Sequence, residues 1–117
     1  MTGFRPSAVT SGNVLTVSLR TGHADRQVNL DVILDQTDFG DVVGVEILDL
    51  RRQLADGKSP PSPVEGYPRW AYDNEIDAFY VHIADGPAPI QKTATSTAFL
   101  DDNGVLTSLV VTMAVDS

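Results

Sequence analysis

The sequence predicts a mainly β fold, in which two three-stranded antiparallel meanders from one duplicated unit pack as a small sandwich or a partly closed barrel, with one short helix. Three observations lead to this prediction. Apolar and polar residues alternate in several short segments, which is typical of strands with one buried face. The pattern of these segments recurs 64 positions further along the chain. Among the acidic residues, 13 are Asp and 3 are Glu, and Asp favours turns over helix interiors.

The repeat has two matching parts. Residues 12–22 (GNVLTVSLRTG) correspond to residues 76–86 (IDAFYVHIADG), because each is an alternating segment that ends in a Gly turn. Further on, residues 42–48 (VVGVEIL) correspond to residues 106–112 (LTSLVVT). The separation is the same at both places, which indicates two copies of one small β unit in tandem.

The chain of 117 residues is predicted to form a single compact domain, with an internal repeat over 13–57 and 70–117 and a Pro-rich linker over 58–69. Each copy has only about 45 residues, and a unit of that size rarely folds alone without disulfides, a metal or a partner. The chain has no cysteine. We therefore expect each copy to cover the apolar face of the other.

The first copy reads as three strands. Residues 14–20 alternate, with Leu15, Val17 and Leu19 on one face. Residues 28–35 alternate in the same way, and residues 42–48 are almost wholly apolar, which favours a central strand covered on both faces. Residues 1–12 have no pattern, and we expect them to be irregular.

Between the copies the spacing of the apolar residues changes from the two-residue alternation of a strand to the spacing of a helix. Asp49 is expected to cap a short helix over 49–55, with Gly57 as its stop. The linker over 58–69 contains three closely spaced prolines, which favour an extended and stiff backbone.

The second copy begins near Trp70. Phe79, Val81 and Ile83 share one face of its first strand, and the next strands are expected over 93–100 and 105–115. The turn between them, residues 101–104 (DDNG), predicts a tight primed hairpin turn, because Asn-Gly supplies the positive φ values that such a turn needs.

The charge of the chain limits its partners. A net charge of −8 argues against nucleic acid and against an anionic membrane surface, since both attract positive charge. It permits a small basic protein as partner. No apolar run has the length of a bilayer span, and the N-terminal residues have no apolar signal segment, so a cytoplasmic location is expected. Unpaired edge strands would allow a homodimer.

Two motifs carry a family resemblance. Residues 72–87 (YDNEIDAFYVHIADGP) resemble the opening signature of a small bacterial family, domain of unknown function 2283, and residues 43–49 (VGVEILD) resemble its closing signature. The opening lies in the second copy and the closing in the first, so two interpretations stay open: a fused pair that diverged, or a circular permutation about the linker. The resemblance implies a small β fold without an assigned activity. Members are often encoded beside small toxin-like proteins, which implies an antitoxin or accessory role.

Candidate chemistry is sparse. The two histidines, His23 and His82, have no second ligand at metal-binding spacing, and no phosphate-binding Gly loop or activated nucleophile is found, so we predict no metal, no cofactor and no catalytic residue. Asp35, Asp38 and Asp41 surround one turn, where they would hold a hard cation only weakly and are explained by turn chemistry. Asp101 and Asp102 lack the alternating carboxylates of a calcium loop, and the hairpin turn explains them as well.

One carboxylate stands apart, because Glu46 lies within an apolar strand. An inward-facing Glu46 would need a partner such as Arg20 or His82, whereas an outward-facing one would share a solvated face with Gly44.

Three functions remain as hypotheses. The first is a non-catalytic protein-interaction module with a small basic partner. The alternatives are a small-ligand-binding β domain with a cavity between the meanders, and an acid–base enzyme that uses Glu46 with His82. Five side chains are candidates for contact with a partner or ligand, because Trp and Tyr are frequent binding anchors; they are Glu46, Trp70, Tyr72, Tyr80 and His82.

Overall fold

The computed structural model describes residues 5–54, 57–61 and 66–113. The fold class is confirmed: the chain is mainly β, with one short helix and a single antiparallel sheet that curls into a half-barrel. The strands are β1 (Ser7–Ser11), β2 (Val14–Ser18), β3 (Arg26–Gln36), β4 (Val42–Ile47), β5 (Arg69–Asp73), β6 (Ala78–His82), β7 (Ile90–Leu100) and β8 (Leu106–Thr112). The helix, α1, spans Leu50–Gln53.

The strand pairing differs from that of two separate meanders. The order across the sheet is β1-β2-β8-β7-β3-β4-β6-β5, so β2 pairs with β8 and β6 pairs with β4. The β1–β2 hairpin of the first half therefore pairs with β8 of the second half, and the β5–β6 hairpin of the second half pairs with β4 of the first. The connections explain the difference, because seven residues separate β2 from β3 and also β6 from β7. Tight hairpins use two to five residues, and the longer connections let the chain cross the sheet.

The sheet has an approximate two-fold pattern. Its strand order reads the same from either edge when β1–β4 are exchanged with β5–β8. At the centre, β3 and β7 pair along eleven residues, and Asp31 lies opposite Thr95, the residue 64 positions further on. A register shift occurs at Asp35/Gln36 in β3 and at the corresponding Phe99/Leu100 in β7.

The two hairpin turns repeat the same hydrogen bonds. Thr37 Oγ1 accepts the N–H groups of Phe39 and Asp41, each at 3.2 Å. Asp101 Oδ1 accepts the N–H groups 64 positions later, from Asn103 at 2.9 Å and Val105 at 3.0 Å. Both turns also close by a bond from the glycine N–H at the fourth position, 3.0 Å in each case.

The predicted primed turn at 101–104 is a hairpin of another type. Five residues separate β7 from β8, and Gly104 (φ 77°) has a positive φ, whereas Asn103 does not. The Asp101 side chain therefore organises the turn, and only its last residue needs the left-handed region.

The inner face of the sheet carries the core. The alternating sets predicted from the sequence face inward: Leu15, Val17, Leu30, Val32, Phe79 and Val81 are almost fully buried, and Val28 and Ile83 are half-buried against the same core. Val45, Leu109 and Val111 are buried on this face as well. From α1 and its end, Leu50 and Leu54 fill the concave side of the half-barrel. Gly57 follows so closely that a Cβ would lie 2.5 Å from Leu100 Cδ2, which requires glycine there.

The described part of the predicted linker is packed against this core. Lys58 forms a parallel bridge with Val105, and Pro60 is buried. The Pro60 carbonyl accepts the indole N–H of Trp70 at 2.8 Å, and Arg69 already belongs to β5. Trp70 is thus a core residue. Residues 62–65 of the predicted linker lie outside the described residues.

Two further local predictions were wrong. Residues 7–11, expected to be irregular, form β1 because the edge of β2 offers them a partner from Ser7↔Ser18 to Ser11↔Val14.

Asp49 precedes α1, but its side chain makes no capping bond, since its backbone is left-handed (φ 53°). Asp77 replaces it from the β5–β6 turn: its carboxylate accepts the Arg51 N–H at 3.2 Å, and its carbonyl accepts the Leu50 N–H at 3.1 Å. Residue 55, the predicted helix end, lies outside the described residues.

Candidate interaction site

Three of the predicted contact residues share the outer face of the sheet. Glu46 in β4 lies opposite Tyr80 in β6, and Gly44 lies opposite His82. Side chains at alternate positions of a strand point to the same face, and the intervening Val45 and Val81 are buried in the core. Glu46 is therefore half-buried on the outer face, beside Gly44.

A hydrogen-bonded row crosses this face. The Tyr80 ring lies over Gly44, where a Cβ would come within 2.5 Å of Tyr80 Cζ, and the Tyr80 hydroxyl donates to Asp35 Oδ2 in β3 at 2.8 Å. The other carboxylate oxygen of Asp35 accepts the Gln91 side-chain amide from β7 at 3.0 Å. The row thus joins four adjacent strands, and glycine at position 44 is what lets the ring lie flat against β4.

The environment of Tyr80 raises its pKa to about 12. Burial is the largest cause, followed by the hydrogen bond to Asp35 and by the negative charges of Asp35 and Glu46. At neutral pH Tyr80 is therefore a phenol, and its hydroxyl donates a hydrogen bond to Asp35.

An aromatic cluster continues the row toward the sheet edge. The His82 ring lies 5.8 Å from the Tyr80 ring in an edge-on arrangement and 5.3 Å from the Tyr67 ring. The guanidinium carbon of Arg69 lies 4.8 Å above the centre of the Tyr67 ring, and Arg69 Nη2 donates to the Tyr67 hydroxyl at 3.3 Å. Such contacts hold side chains in fixed positions at the surface.

Beside this row is an open groove of about 560 Å³ at the end of β4, β5 and β6. We call it the acidic groove, and its lining residues are Glu46, Ala71, Tyr72, Asp73, Asn74, Glu75, Ile76, Ala78 and Tyr80. Ile76 is 67% exposed, and none of the three carboxylates forms an ion pair with another described residue. The groove thus combines negative charge, an exposed aliphatic side chain and the edge of an aromatic ring.

Trp70 and Tyr72, the other two predicted contact residues, project inward from β5. The Tyr72 hydroxyl donates to Asp77 Oδ1 at 2.5 Å, and Asp77 also pairs with the Arg51 side chain at 3.5 Å. The hydrogen bond from Tyr72, followed by that from the Arg51 backbone N–H, lowers the pKa of Asp77. Both aromatic residues therefore fix β5 to the rest of the molecule.

A second cavity, of about 400 Å³, lies between α1 and the segment that follows it. Its polar lining includes Arg51, Lys58, Ser59 and Asn74, with Leu50 at an apolar wall. It brings together two cationic side chains, Arg51 and Lys58, in a chain whose net charge is −8.

The proposed acid–base pair is not assembled in the described structure. No hydrogen bond or ion pair joins Glu46 to His82, which are diagonal neighbours on the outer face. The described residues also contain no cluster of three or more His, Asp or Glu side chains arranged to hold a metal ion. Asp38 and Asp41 are exposed at their turn, and His23 is exposed in the β2–β3 connection.

Several residues of this site were not identified from the sequence. Asp35 was assigned to turn chemistry, Tyr67 fell in the predicted linker, and Gln91 had no role. One signal was available, because a glycine inside an apolar strand often marks the close approach of another group. Gly44 is such a residue, and the approaching group is Tyr80.

No family model, no curated protein and no solved structure matches this chain. The resemblance to domain of unknown function 2283 therefore stays a prediction. Within the described ranges, no helix is long and apolar enough to cross a bilayer.

Proposed function

We propose that the protein is a non-catalytic interaction module that binds a basic protein or peptide through the acidic groove. The observation that supports this most directly is the set of three carboxylates beside the exposed Ile76, none of which forms an ion pair with another described residue. Unneutralised carboxylates attract a positively charged partner over long range, and an apolar side chain beside them gives contact area. The net charge of −8 strengthens that attraction.

The rigidity of the surface supports the same proposal. Tyr80 is held over Gly44 by its bond to Asp35, so its position is fixed before any partner arrives. A side chain that is already ordered loses little conformational entropy on binding, and this increases affinity.

The two-fold pattern of the sheet supplies an independent argument. From the matching strand order, registers and turns we infer that the halves descend from one duplicated unit. In the other half, Thr16, Ser18 and Val110 occupy the positions that correspond to Tyr80, His82 and Glu46. The other half carries Phe99 and Arg20 beside Ser18, so the same fold bears different side chains on its two outer faces, and the set of Glu46, Tyr80 and His82 occurs on one of them.

The test uses short basic peptides as probes of the intact, isotope-labelled protein, with glutamate versions of the same peptides for comparison. We expect the basic peptides to shift the amide signals of Glu46, Ala71, Asp73 and Ile76, and the binding to weaken as salt is added. The glutamate peptides should leave these signals unchanged. If no basic peptide binds, or if the shifts lie elsewhere on the sheet, the proposal is overturned.

A matched pair of variants tests whether peptide binding depends on the acidic groove or only on the total negative charge of the protein. The groove variant combines Glu46→Gln, Asp73→Asn and Glu75→Gln, and the control combines Asp38→Asn, Asp85→Asn and Asp102→Asn, so both lose three negative charges. We expect the groove variant to bind basic peptides about tenfold more weakly, and the control to change by less than about threefold. Equal losses would mean that the peptides respond only to net charge.

The cavity beside α1 supports a second candidate, a site for a small anionic ligand. Arg51 and Lys58 line it together with the Ser59 and Asn74 side chains. A thermal-shift screen of small carboxylates and phosphates tests this candidate, because a ligand that binds the folded state raises its melting temperature. Loss of the shift in Lys58→Gln would place the ligand here, and a screen with no shifts would count against it.

The enzyme that uses Glu46 and His82 is the least supported function, since the two side chains are not joined by a hydrogen bond. The cytoplasmic location and the homodimer stay predictions of the sequence.

A further inference from the structure

We propose that the acidic groove recognises an arginine side chain of its partner, with the guanidinium group stacked on the Tyr80 ring and paired with Glu46, an inference that rests on the function proposed above. The two residues lie directly opposite each other on β6 and β4, and both line the groove. Side chains at opposite positions of an antiparallel pair have Cβ atoms about 4.5–5.5 Å apart. An aromatic ring and a carboxylate are therefore neighbours at this surface.

The Tyr80 ring is presented as a flat surface. It lies over Gly44, where a Cβ would come within 2.5 Å of Tyr80 Cζ, so one side of the ring is turned toward β4. Tyr80 is only half-buried, and its exposed surface is turned away from β4. The His82 ring is inclined at 87° to it, with 5.8 Å between the ring centres. The face of an aromatic ring carries partial negative charge and attracts a cation placed above it.

The hydrogen bond to Asp35 improves this ring as a binding surface. The Tyr80 hydroxyl donates to Asp35 Oδ2 at 2.8 Å, and the Gln91 amide donates to the other oxygen of Asp35 at 3.0 Å. A phenol that donates to a carboxylate has more electron density in its ring, which strengthens the attraction for a cation. The same bond holds the ring in place before a partner arrives, so little side-chain entropy is lost on binding.

Glu46 determines which cation fits best. No ion pair joins its carboxylate to another described residue. A guanidinium group is planar, so it can stack on a ring by its face while its edge donates two N–H groups to one carboxylate. A lysine ammonium is a strongly hydrated point charge without a plane to stack. A ring face beside a carboxylate therefore favours arginine over lysine.

The corresponding strand pair in the other half carries neither group. Thr16 in β2 lies opposite Val110 in β8, at the positions that correspond to Tyr80 and Glu46. Strand pairing at this place in the sheet therefore does not require a ring beside a carboxylate. We expect one arginine side chain to be bound per molecule, in the second of the two pairs.

The experiment compares three peptides with the intact protein. They share one sequence and differ only in carrying arginines, lysines or citrullines, of which citrulline has the shape of arginine without its charge. We expect the arginine peptide to bind about tenfold more tightly than the lysine peptide, and the citrulline peptide to bind more weakly than both. The side-chain protons of the bound arginine should shift upfield in the NMR spectrum, because an aromatic ring shields nuclei above its face.

Single variants assign the preference to the two residues. Glu46→Gln should reduce the preference for arginine over lysine to less than about threefold. Glu75→Gln is the matched control, because it removes the same charge from another part of the groove. It should weaken both basic peptides alike and leave the preference unchanged. Tyr80→Leu should remove both the preference and the upfield shift, since an aliphatic side chain has no ring face.

The outcomes separate this inference from the proposed function. Equal binding of the arginine and lysine peptides would overturn the arginine site and leave the basic-partner function intact. A preference for arginine that survives in Glu46→Gln, or an arginine peptide that binds without an upfield shift, would also overturn the site. If neither basic peptide binds, both the arginine site and the function on which it rests are overturned.

Discussion

Gly44 is the residue that makes the outer face possible. The Tyr80 ring lies where a side chain at position 44 would be, and from there its hydroxyl donates to Asp35. The backbone of Gly44 is not in the left-handed region, so the need for glycine comes from the close approach and not from φ.

We therefore expect Gly44→Ala to destabilise the fold by about 1–3 kcal/mol, the usual cost of overpacking. Urea unfolding measures this value. In a Tyr80→Ala background the same substitution should cost close to nothing, because the clashing ring is absent. An equal cost in both backgrounds would show that the contact with Tyr80 is not the cause.

Asp101 illustrates how a single carboxylate organises a turn. Its Oδ1 accepts two backbone N–H groups, and these bonds, that from Val105 first, lower the pKa of the carboxyl below its ordinary 3.8. A carboxyl with a lowered pKa in the folded state stabilises that state above its unfolded pKa. The stabilisation is lost as the pH falls through the folded pKa.

Acid should thus remove part of the stability that Asp101 provides. We expect the difference in melting temperature between the wild type and Asp101→Asn to shrink between neutral pH and about pH 3, because Asn keeps an acceptor oxygen but carries no charge. Thermal unfolding at a series of pH values measures it. Parallel curves for the two proteins over this range would contradict the prediction.

At the scale of elements, α1 completes the sheet where β4 stops. β4 ends at Ile47, so Asp31 in β3 pairs with β7 on one side and has no described strand on the other. The Gln53 side chain takes that place: Gln53 Oε1 accepts the Asp31 N–H at 2.7 Å, and Gln53 Nε2 donates to the carbonyls of Asp31 at 3.2 Å and Leu48 at 2.6 Å. A side-chain amide thus imitates the missing residue of a strand.

Removal of this amide should expose the edge of β3. We expect Gln53→Ala to speed amide hydrogen exchange at Asp31, since the N–H loses its acceptor. Gln53→Glu is the matched variant: it keeps an oxygen for the Asp31 N–H but cannot donate to the two carbonyls. It should keep most of the protection at Asp31 while lowering the urea midpoint. Unchanged exchange in Gln53→Ala would contradict this role.

At the scale of the whole molecule, the halves are interlaced. β2 pairs with β8, β4 pairs with β6, and the longest pairing joins β3 to β7. The core mixes residues from both halves in the same way, with Leu15 and Val17 from one and Leu109 and Val111 from the other. Neither half has a sheet of its own without the other.

A cut between residues 61 and 66 leaves all eight strands whole. We therefore expect a protein with a protease site inserted there to stay folded as a two-fragment complex after cleavage, with the single tryptophan, Trp70, still buried. Each fragment purified under denaturing conditions should be unfolded alone, and mixing should restore the native amide spectrum. A folded monomeric spectrum from either fragment alone would contradict the interlaced arrangement.

Much of the local structure could be predicted from the sequence. The alternation of Leu15, Val17 and Leu19, and that of Phe79 and Val81, identified strands and their buried faces, because the two-residue period is a property of the strand itself. The predicted repeat spacing of 64 positions coincides with the distance between Asp31 and its partner Thr95.

The pairing of strands and the outer-face site depended on the tertiary structure. Whether β2 pairs with β3 or with β8 is decided by which strand best covers its edge in space, and neighbours along the chain do not carry that information. The bond between Tyr80 and Asp35 joins residues 45 positions apart and exists only because Gly44 lies between them in the sheet. Alternation is local and the sequence determines it; the meeting of distant side chains is collective, and only the folded sheet decides it.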